Sequence, residues 1–381
     1  MRLAHVINGL DDGGAEAVLF RLCRADDANE HLVISLQDGG KYGPLLEDIG
    51  VRVESIGMRR GRMTPRGLYV LAQHLRAMRP DIVQTWMYHS NLVGGLAARV
   101  VGVRSVVWGV HHTSLSATET AFTTRAAARL GGPASRLLVD RIAYCAQRSR
   151  EVHEDLVYAA DKGTVIPNGY DVDEYRPDAP RGAAWRRSVR VPDGVPLLGM
   201  VGRFDPQKDH RNLIEAVAIV ARTVPRFMVA LVGNGLEASN DTLRHWIADK
   251  RLDDRFLLVG RSNDVPAVMN GLDLHVLSSR FGEAFPNVVC ESMACGTPNV
   301  VTDVGDAGAI VDETGWVVSP ADPEAFAHAI TLALREFGAS PERWKRRCAA
   351  ARDRIVRNYS LERMVEAYRK VWISASSKRR Q

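Results

Sequence analysis

The sequence predicts an α/β protein with two Rossmann-like domains, each built on a doubly wound parallel sheet. Three observations lead to this prediction. The chain has 381 residues, which suggests two domains at roughly 100–200 residues each. Short apolar runs alternate with helical stretches through both halves, a pattern typical of parallel sheets covered by helices. A stretch at 167–194, rich in Pro, Gly, Asp and Arg, interrupts the alternation and predicts a linker.

The first domain is predicted at 1–166 and the second at 195–360. In the first, strands are expected at 2–7, 32–37, 51–56, 82–85 and 105–110, and helices at 15–24, 67–78 and 91–101. In the second, strands are expected at 196–201, 227–233, 256–259, 274–277, 299–302 and 315–318, and helices at 211–222, 242–250, 265–269, 288–294 and 323–337. An amphipathic helix at 361–375 is expected to pack back on the first domain. Ligands of open α/β sheets bind beyond the carboxyl ends of the strands, so we expect the two domains to face each other across a cleft.

Composition and charge exclude several classes of protein. A hydrophobic share of 46% with 25% charged residues is ordinary for a globular protein. The net charge of +5 favours anionic partners, but no nucleic-acid-binding motif accompanies it, so no nucleic acid is expected. Five scattered cysteines have neither zinc-site spacing nor a disulfide framework. Without a signal peptide or a membrane-spanning run, we expect a cytoplasmic protein, either free or peripheral at the inner face of the membrane.

Two glutamates follow the predicted strand at 274–277. A loop carrying Glu283 leads into a short helix carrying Glu291, with Pro286 suited to the first helical turn. The start of a helix offers amide N–H groups and a partial positive charge to an anion. The carboxylates of Glu283 and Glu291 suit the hydroxyls of a sugar and of a ribose. The pattern predicts a site for a sugar joined to a nucleoside through a diphosphate.

Two cations follow the predicted strand at 196–201. Arg203 and Lys208 lie on one loop, where both can reach a diphosphate. Fixed cations at that place stabilise a leaving group that gains negative charge. The loop therefore complements the glutamate segment.

These segments carry a resemblance to a known family. G-R-F-x-x-Q-K-D at 202–209, followed by S-x-x-x-E-x-F-P-N-V-V-x-E-x-M-A-C-G-T-P at 279–298, resembles the large retaining glycosyltransferase family 4, which has GT-B architecture. The glycines that follow the first predicted strand and the segment 165–169 resemble the same family. Ala284 and Cys290 depart from its common residues, Gly and Leu, without touching the predicted chemistry.

The resemblance implies a role for each site residue. Arg203 and Lys208 bind the donor diphosphate, Glu283 contacts the transferred sugar and Glu291 holds the ribose. Further donor contacts are implied for a set of backbone and loop positions: Phe285, Pro286, Asn287, Val288 and Val289 at the sugar and phosphate, Gly13 and Gly14 at the phosphate, and Gly233, Gly260 and Arg261 around the base. His112 is implied near the donor sugar, although the adjacent His111 is an alternative.

The resemblance also implies a metal-independent, hexosyltransferase-type enzyme without a cofactor. Its partners would be a nucleotide-sugar donor and a glycan or glycolipid acceptor, such as a lipid-linked or cell-surface precursor. The D-x-D at 171–173 lies in the predicted linker and is not expected to bind metal. A nucleotide-sugar epimerase of the same fold, or a non-catalytic nucleotide-sugar binder, are the alternatives.

Basic residues concentrate in two stretches of the first domain, at 58–66 and 117–150, and apolar residues are interleaved with the basic ones. Such a stretch suits an anionic membrane surface. A solvated helix face explains it equally well, so both interpretations stay open at this point.

Overall fold

The computed structural model describes residues 1–59, 64–113 and 120–377. Parts of both basic stretches, at 60–63 and 117–119, lie outside the described residues, as does 378–381. The chain divides into two compact units, one made of Met1–Gly169 with Leu361–Gln381 and the other of Tyr170–Ser360. Each unit contains a parallel sheet, which confirms the predicted fold class of two Rossmann-like domains.

Within its described residues, the first unit contains a seven-stranded parallel sheet in the order β3-β2-β1-β4-β5-β6-β7. The strands are β1 (Arg2–Ile7), β2 (Glu30–Ser35), β3 (Arg52–Ser55), β4 (Ile82–Trp86), β5 (Ser105–Val110), β6 (Arg141–Tyr144) and β7 (Gly163–Val165). The helices before the linker are α1 (Gly14–Ala25), α2 (Tyr42–Asp48), α3 (Pro65–Met78), α4 (Tyr88–Val100), α5 (Phe122–Leu138) and α6 (Gln147–Glu154). Strands β4 and β5 are buried along their whole length, because helices cover both faces of a parallel sheet.

The second unit, which is described without a gap, contains a six-stranded parallel sheet in the order β10-β9-β8-β11-β12-β13. The strands are β8 (Leu197–Val201), β9 (Met228–Val232), β10 (Phe256–Gly260), β11 (Leu274–Leu277), β12 (Asn299–Thr302) and β13 (Trp316–Val318). The helices are α7 (Ala179–Ser188), α8 (His210–Val220), α9 (Asp241–Asp249), α10 (Val265–Gly271), α11 (Asn287–Ala294), α12 (Ala307–Val311), α13 (Pro323–Ala339) and α14 (Pro341–Asn358). Strand order reverses between β8 and β11, and at such a switch point the loops beyond the strands form a ligand crevice.

Helix α15 (Leu361–Ser377) returns the chain to the first unit. Its apolar face, which includes Met364, Tyr368 and Trp372, is buried in the same core cluster as β1 and α1. The last helix in the sequence therefore completes the core of the unit that begins the sequence.

The segment 167–194 contains a helix that its composition did not indicate. Asp178 accepts a hydrogen bond from the backbone N–H of Arg181 and so caps the start of α7, and Pro180 occupies the first turn. Trp185 anchors the helix, because it packs so closely on Gly271 that an added Cβ there would lie 2.2 Å from the indole. A buried aromatic anchor and an N-terminal cap outweigh the segment's weak helical periodicity.

No helix among the described residues is long and apolar enough to cross a lipid bilayer.

Candidate active site

The loop after β8 holds two cations at fixed places. Asp205 accepts a hydrogen bond from the backbone N–H of Gln207 at 2.9 Å and so folds a short turn over Pro206–Lys208. Asp209, with a left-handed φ of 46°, then caps α8. Arg203 donates to Asp205 at 3.0 Å and to Gln207 at 3.4 Å. Burial raises the pKa of Asp205, but hydrogen bonds from Gln207 and Arg203 outweigh it and set that pKa below its ordinary value. The turn thus presents Arg203, with an exposed side chain, and Lys208, whose side chain is mostly buried.

Two glycines let neighbouring loops approach this turn. A Cβ on Gly233, whose φ is 149°, would lie 1.8 Å from the carbonyl oxygen of Gly202. Gly233 in turn donates to the carbonyl of Gly260 at 2.8 Å, and Gly260 has a φ of 74°. The loops after β8, β9 and β10 are therefore held together by backbone contacts, and Arg261 is exposed at their edge.

The loop after β11 is bonded directly to the loop after β8. Ser278 donates to the carbonyl oxygens of Lys208 and Asp209 at 2.9 and 3.0 Å. The backbone N–H of Arg280 donates to the carbonyl of Gln207 at 2.8 Å. Because β8 and β11 are neighbours in the sheet, these bonds bring the two predicted site segments into contact.

An ion pair joins the two segments at their centre. Lys208 Nζ lies 2.5 Å from Glu283 Oε1, and Ser279 donates to the same oxygen at 2.7 Å. The carboxylate is buried, with 6% of the Glu283 surface exposed. Burying two charges is costly unless they are paired and hydrogen-bonded, which explains why Ser279 and Lys208 converge on one oxygen.

The backbone around Glu283 is clamped by the loop after β12. Thr302 donates to the carbonyl of Ser279 at 2.5 Å, and Asp306 donates from its backbone to the carbonyl of Ala284 at 3.0 Å. Gly305, with a φ of 62°, passes so close that a Cβ would lie 2.2 Å from the carbonyl oxygen of Glu283. The position of the carboxylate is therefore set by three loops rather than by its own loop alone.

Helix α11 begins next to this ion pair. Pro286 precedes the helix at the N-cap position rather than lying in its first turn, and its side chain provides no capping bond. Asn287 is the first helical residue, and its amide oxygen accepts a hydrogen bond from the buried Tyr170 hydroxyl at 2.5 Å. Glu291 lies one turn further along and is half-buried. The start of α11 thus carries the partial positive charge that favours an anion.

The predicted residues Gly13, Gly14 and His112, with the alternative His111, lie in the first unit. Gly13 is the N-cap of α1, and a Cβ there would lie 2.3 Å from the Glu16 carboxylate. Gly14 is exposed at the first helical position. His111 and His112 follow β5 and have different surroundings. The His111 ring stacks on Trp86 at 5.2 Å, and burial lowers its pKa to about 4. The carbonyl of His112 accepts from Ser149, 2.8 Å away.

Ser279 and Tyr170 are among the contributors to the site that were missed at the level of sequence. Ser279 lies inside the motif that predicted Glu283, but no role was assigned to it. Tyr170 lies in the predicted linker, and no local pattern links it to Asn287, which is 117 residues away. The first Asp of the D-x-D at 171–173 caps a turn, since its Oδ1 accepts from the N–H groups of Asp173 and Glu174.

Comparison with known proteins accounts for both units. The family model described as Glycosyltransferase Family 4 matches residues 12–174, and the model described as Glycosyl transferases group 1 matches residues 183–350. An Escherichia coli UDP-Gal:alpha-D-GlcNAc-diphosphoundecaprenol alpha-1,3-galactosyltransferase is 27% identical over 277 residues, which cover 70% of this chain and 69% of that protein. A 2-deoxystreptamine N-acetyl-D-glucosaminyltransferase from Streptomyces fradiae is 29% identical, with 94% of this chain and 90% of that protein covered.

Solved structures share the architecture. Anabaena HepE in complex with UDP superposes with a TM-score of 0.85 at 22% identity, and 98% of this chain and 100% of HepE are covered. Sucrose-phosphate synthase from Thermosynechococcus elongatus gives a TM-score of 0.80 at 19% identity, with 98% and 100% covered. The two family models, the named relatives and the shared architecture agree: the chain belongs to the GT-B glycosyltransferases of family 4 type and is a sugar-transferring enzyme.

Proposed function

We propose that the enzyme transfers a sugar from a nucleoside diphosphate sugar to a hydroxyl acceptor, without a metal and with retention of the anomeric configuration. The observation that carries this proposal is the Lys208–Glu283 ion pair beside the start of α11. It combines a cation for a phosphate, an oriented carboxylate for a hydroxyl and a helix N-terminus for an anion in one place. The names of the relatives support the donor class, because one includes UDP-Gal and the HepE structures contain UDP or UDP-glucose.

The reaction needs charge stabilisation more than acid or base catalysis. As the bond between the anomeric carbon and the diphosphate oxygen breaks, both bonding electrons leave with the diphosphate. Arg203, Lys208 and the amide groups at the start of α11 stabilise that developing charge. The acceptor hydroxyl attacks from the face that the diphosphate leaves, and its proton passes to the departing phosphate oxygen.

Glu283 acts in this scheme as a hydrogen-bond acceptor for the transferred sugar. Lys208 and Ser279 both bond to its Oε1 and so hold the carboxylate in one orientation. Glu291 binds the ribose hydroxyls one turn along α11. The two glutamates therefore hold opposite ends of the donor instead of forming an acid/base pair.

The first unit offers a surface for a lipid-linked acceptor. Helix α5, which is described throughout, contains three arginines and no acidic residue. Phe122, Leu130 and Leu137 are 76, 62 and 81% exposed, and their spacing of eight and seven residues puts them on one face of the helix. Arg129 and Arg136 flank the two leucines and are exposed too. An exposed apolar stripe beside cations suits the surface of an anionic bilayer, and a named relative acts on a diphosphoundecaprenol.

The donor can be identified by a thermal-shift panel of nucleoside diphosphates and their sugars. Ligands that bind the folded state raise the melting temperature by mass action, so the true donor should give the largest shift. Incubating that donor without an acceptor separates the alternatives. Quantitative conversion to an isomeric nucleotide sugar would indicate an epimerase. Failure to consume the donor with any of a set of polyprenyl-diphosphate glycans and free glycans would indicate a binder.

A further inference from the structure

A chain of hydrogen bonds runs through the interior of the first unit. Trp86 Nε1 donates to His5 Nδ1 at 3.2 Å, and His5 Nε2 lies 2.9 Å from His31 Nδ1. His31 Nε2 lies 3.1 Å from Asp26 Oδ2. All four residues are buried. We call them the Trp86–Asp26 chain.

Only one placement of protons satisfies the Trp86–Asp26 chain. The indole N–H is a donor only, so His5 Nδ1 accepts and a neutral His5 carries its proton on Nε2. That proton is donated to His31 Nδ1, which leaves His31 protonated on Nε2 and donating to Asp26. Burial, reinforced by the neighbouring His31, lowers the pKa of His5 well below its ordinary value, in agreement with a neutral ring.

The far end of the chain is anchored on α15. Arg369 Nε donates to Asp26 Oδ1 at 2.7 Å, and Asn29 donates to Asp26 Oδ2 at 2.8 Å. Burial alone raises the pKa of Asp26, but hydrogen bonds from His31, Asn29 and Arg369 outweigh it and hold that pKa far below its usual value. Asp26 is therefore a carboxylate, and every link of the chain has a fixed direction.

The same region contains a group of atoms with metal-ligand spacing. Ligand atoms of His5, Cys23 and His31 lie within 4.8 Å of one another. A metal bound to His5 Nε2 needs a lone pair on that nitrogen, which carries the proton of the neutral ring. The proton cannot move to Nδ1, because Nδ1 accepts from Trp86. The ring would therefore have to lose its remaining proton. Burial, with the nearby Asp26, also raises the pKa of the Cys23 thiol, which opposes the thiolate that metals require. The hydrogen-bond chain explains the cluster better than a metal site.

The near end of the chain lies next to the loop after β5. Trp86 is the last residue of β4, and its indole stacks on His111 with an angle of 27° between the rings. The next residue, Met87, has a φ of 73° and donates from its backbone to the carbonyl of Gly109 at 3.0 Å. Such a φ is strained for a non-glycine residue and persists only where the surroundings enforce it. The ends of β4 and β5 are thus fixed to each other just before His112.

We propose that the Trp86–Asp26 chain positions the segment 110–113, which carries His112. Fixed tautomers hold the Trp86 indole in one orientation, and the indole holds the His111 ring that precedes His112. Trp86, His5 and His31 would then be positioning residues that do not touch the substrate. The part of this inference that concerns transfer depends on His112 lying near the donor sugar, as the family resemblance implies, and so rests on the proposed function, whereas the positioning itself does not.

Hydrogen exchange of backbone amides tests the positioning directly. Trp86→Phe keeps an aromatic ring against His111 but removes the indole donor, and His31→Gln breaks the chain at its centre. Leu46→Ala is the matched control, because Leu46 is buried in the same core cluster and outside the chain. In both chain variants the amides at 110–113 should exchange roughly tenfold faster, as expected for loss of one buried hydrogen bond. Equal exchange in wild type and Trp86→Phe, or an equal increase in Leu46→Ala, would overturn the proposal.

Two further readouts separate positioning from general destabilisation. Nitrogen-15 NMR of the histidine side chains should show Nε2–H for both His5 and His31 in the wild type and a tautomer mixture for His5 in Trp86→Phe. One equivalent of Zn²⁺ should leave the melting temperature unchanged, and stoichiometric stabilisation by Zn²⁺ would contradict the chain.

A comparison of catalytic constants separates this proposal from the proposed function. Trp86→Phe should lower kcat for sugar transfer and leave the Kd for UDP unchanged, because Arg203, Lys208 and the start of α11 lie in the second unit. Normal transfer by His112→Ala would remove the catalytic role of His112 while leaving the exchange result intact. Unchanged exchange in Trp86→Phe would instead remove the positioning role, whatever His112 does.

Discussion

At the scale of single residues, the central feature of the candidate site is the ion pair between Lys208 and Glu283. Their ion pair is nearly removed from water, with side-chain exposures of 12 and 8%, whereas the Arg203 side chain is 59% exposed. Before a donor binds, Lys208 is therefore paired with the buried Glu283 carboxylate, while the exposed Arg203 side chain is more accessible to an incoming anion. The sequence predicted all three residues because they lie in motifs, but it did not indicate this difference between the two cations.

Replacing Arg203 by Ala tests its role at the leaving group. We expect kcat/KM to fall by about 10²–10³-fold, as for loss of one group that stabilises transition-state charge. The melting temperature should change little, because an exposed side chain contributes weakly to stability. Arg211→Ala is the matched control, since Arg211 lies on α8 with its side chain 68% exposed. Equal turnover in the two variants would contradict the assignment.

Replacing Glu283 by Gln separates donor binding from transfer. The change keeps the shape of the side chain but removes the charge that pairs with Lys208, so the side chain at 283 competes less with the diphosphate for the lysine. We expect UDP to bind several-fold more tightly by calorimetry, while transfer falls by about 10²-fold or more because a charged acceptor of a hydroxyl hydrogen bond is lost. Transfer at the wild-type rate would show that Glu283 does not contact the sugar.

At the scale of elements, the sequence predicted helices and strands with clear periodicity. It missed a helix that contains glycine and proline, residues that usually interrupt helices, because tertiary packing stabilises that helix. Helix α5 contains Gly131, Gly132 and Pro133, a run of residues that is typical of a break between helices. In the structure an added Cβ on Gly131 would lie 2.1 Å from the Tyr158 hydroxyl, and one on Gly132 would lie 2.3 Å from the Leu156 carbonyl. The glycines are needed for contacts with a later segment, which no local pattern reveals.

The loops of the site show the opposite case. The loops after β8 and β11 were predicted because each follows an apolar strand and carries a motif. Tyr170 could not be found in this way, since its hydroxyl reaches Asn287 only after the second unit has folded. Local sequence therefore identifies the groups that meet the ligand, and tertiary packing determines which groups support them.

Membrane binding through α5 can be tested on vesicles. The wild-type enzyme should cosediment with vesicles of phosphatidylcholine and phosphatidylglycerol, less with phosphatidylcholine alone, and less again at high salt. Combined Leu130→Glu and Leu137→Glu should reduce binding by about tenfold or more, because burial of two leucines is lost. Ile373→Glu on α15 is the control, as Ile373 is 58% exposed outside α5. Wild-type binding by the double variant would exclude α5 as the contact.

At the scale of the whole molecule, buried neutral histidines couple stability to pH. Burial lowers the pKa of His111, His153, His210 and His275 to about 4 in each case. In the unfolded chain their pKa lies near 6.5, so between these values the unfolded state binds more protons. The stability that they contribute is complete above about pH 6.5 and is lost as the pH falls toward 4.

Urea unfolding at pH 7.5 and at pH 5 should show this loss as a lower midpoint in acid. His275→Gln should reduce the difference between the two midpoints, because glutamine does not take up a proton in this pH range. In the wild type, Nδ1 of His275 bonds to Asn299 at 2.6 Å, and its Nε2 has no partner among the described residues. Exposed His328→Gln serves as the control. A midpoint that does not change with pH would contradict the buried neutral state.

The return of α15 to the first unit has a consequence for protein synthesis. Tyr170 and Ser360, at the two ends of the second unit, pair in an isolated bridge, so that unit closes on itself as an insertion within the first. A ribosome delivers the whole of the second unit before it delivers Tyr368 and Trp372, which the first unit needs for its core. The unit that is translated first is therefore completed last, and a chain released early would retain a foldable second unit beside an unfinished first one.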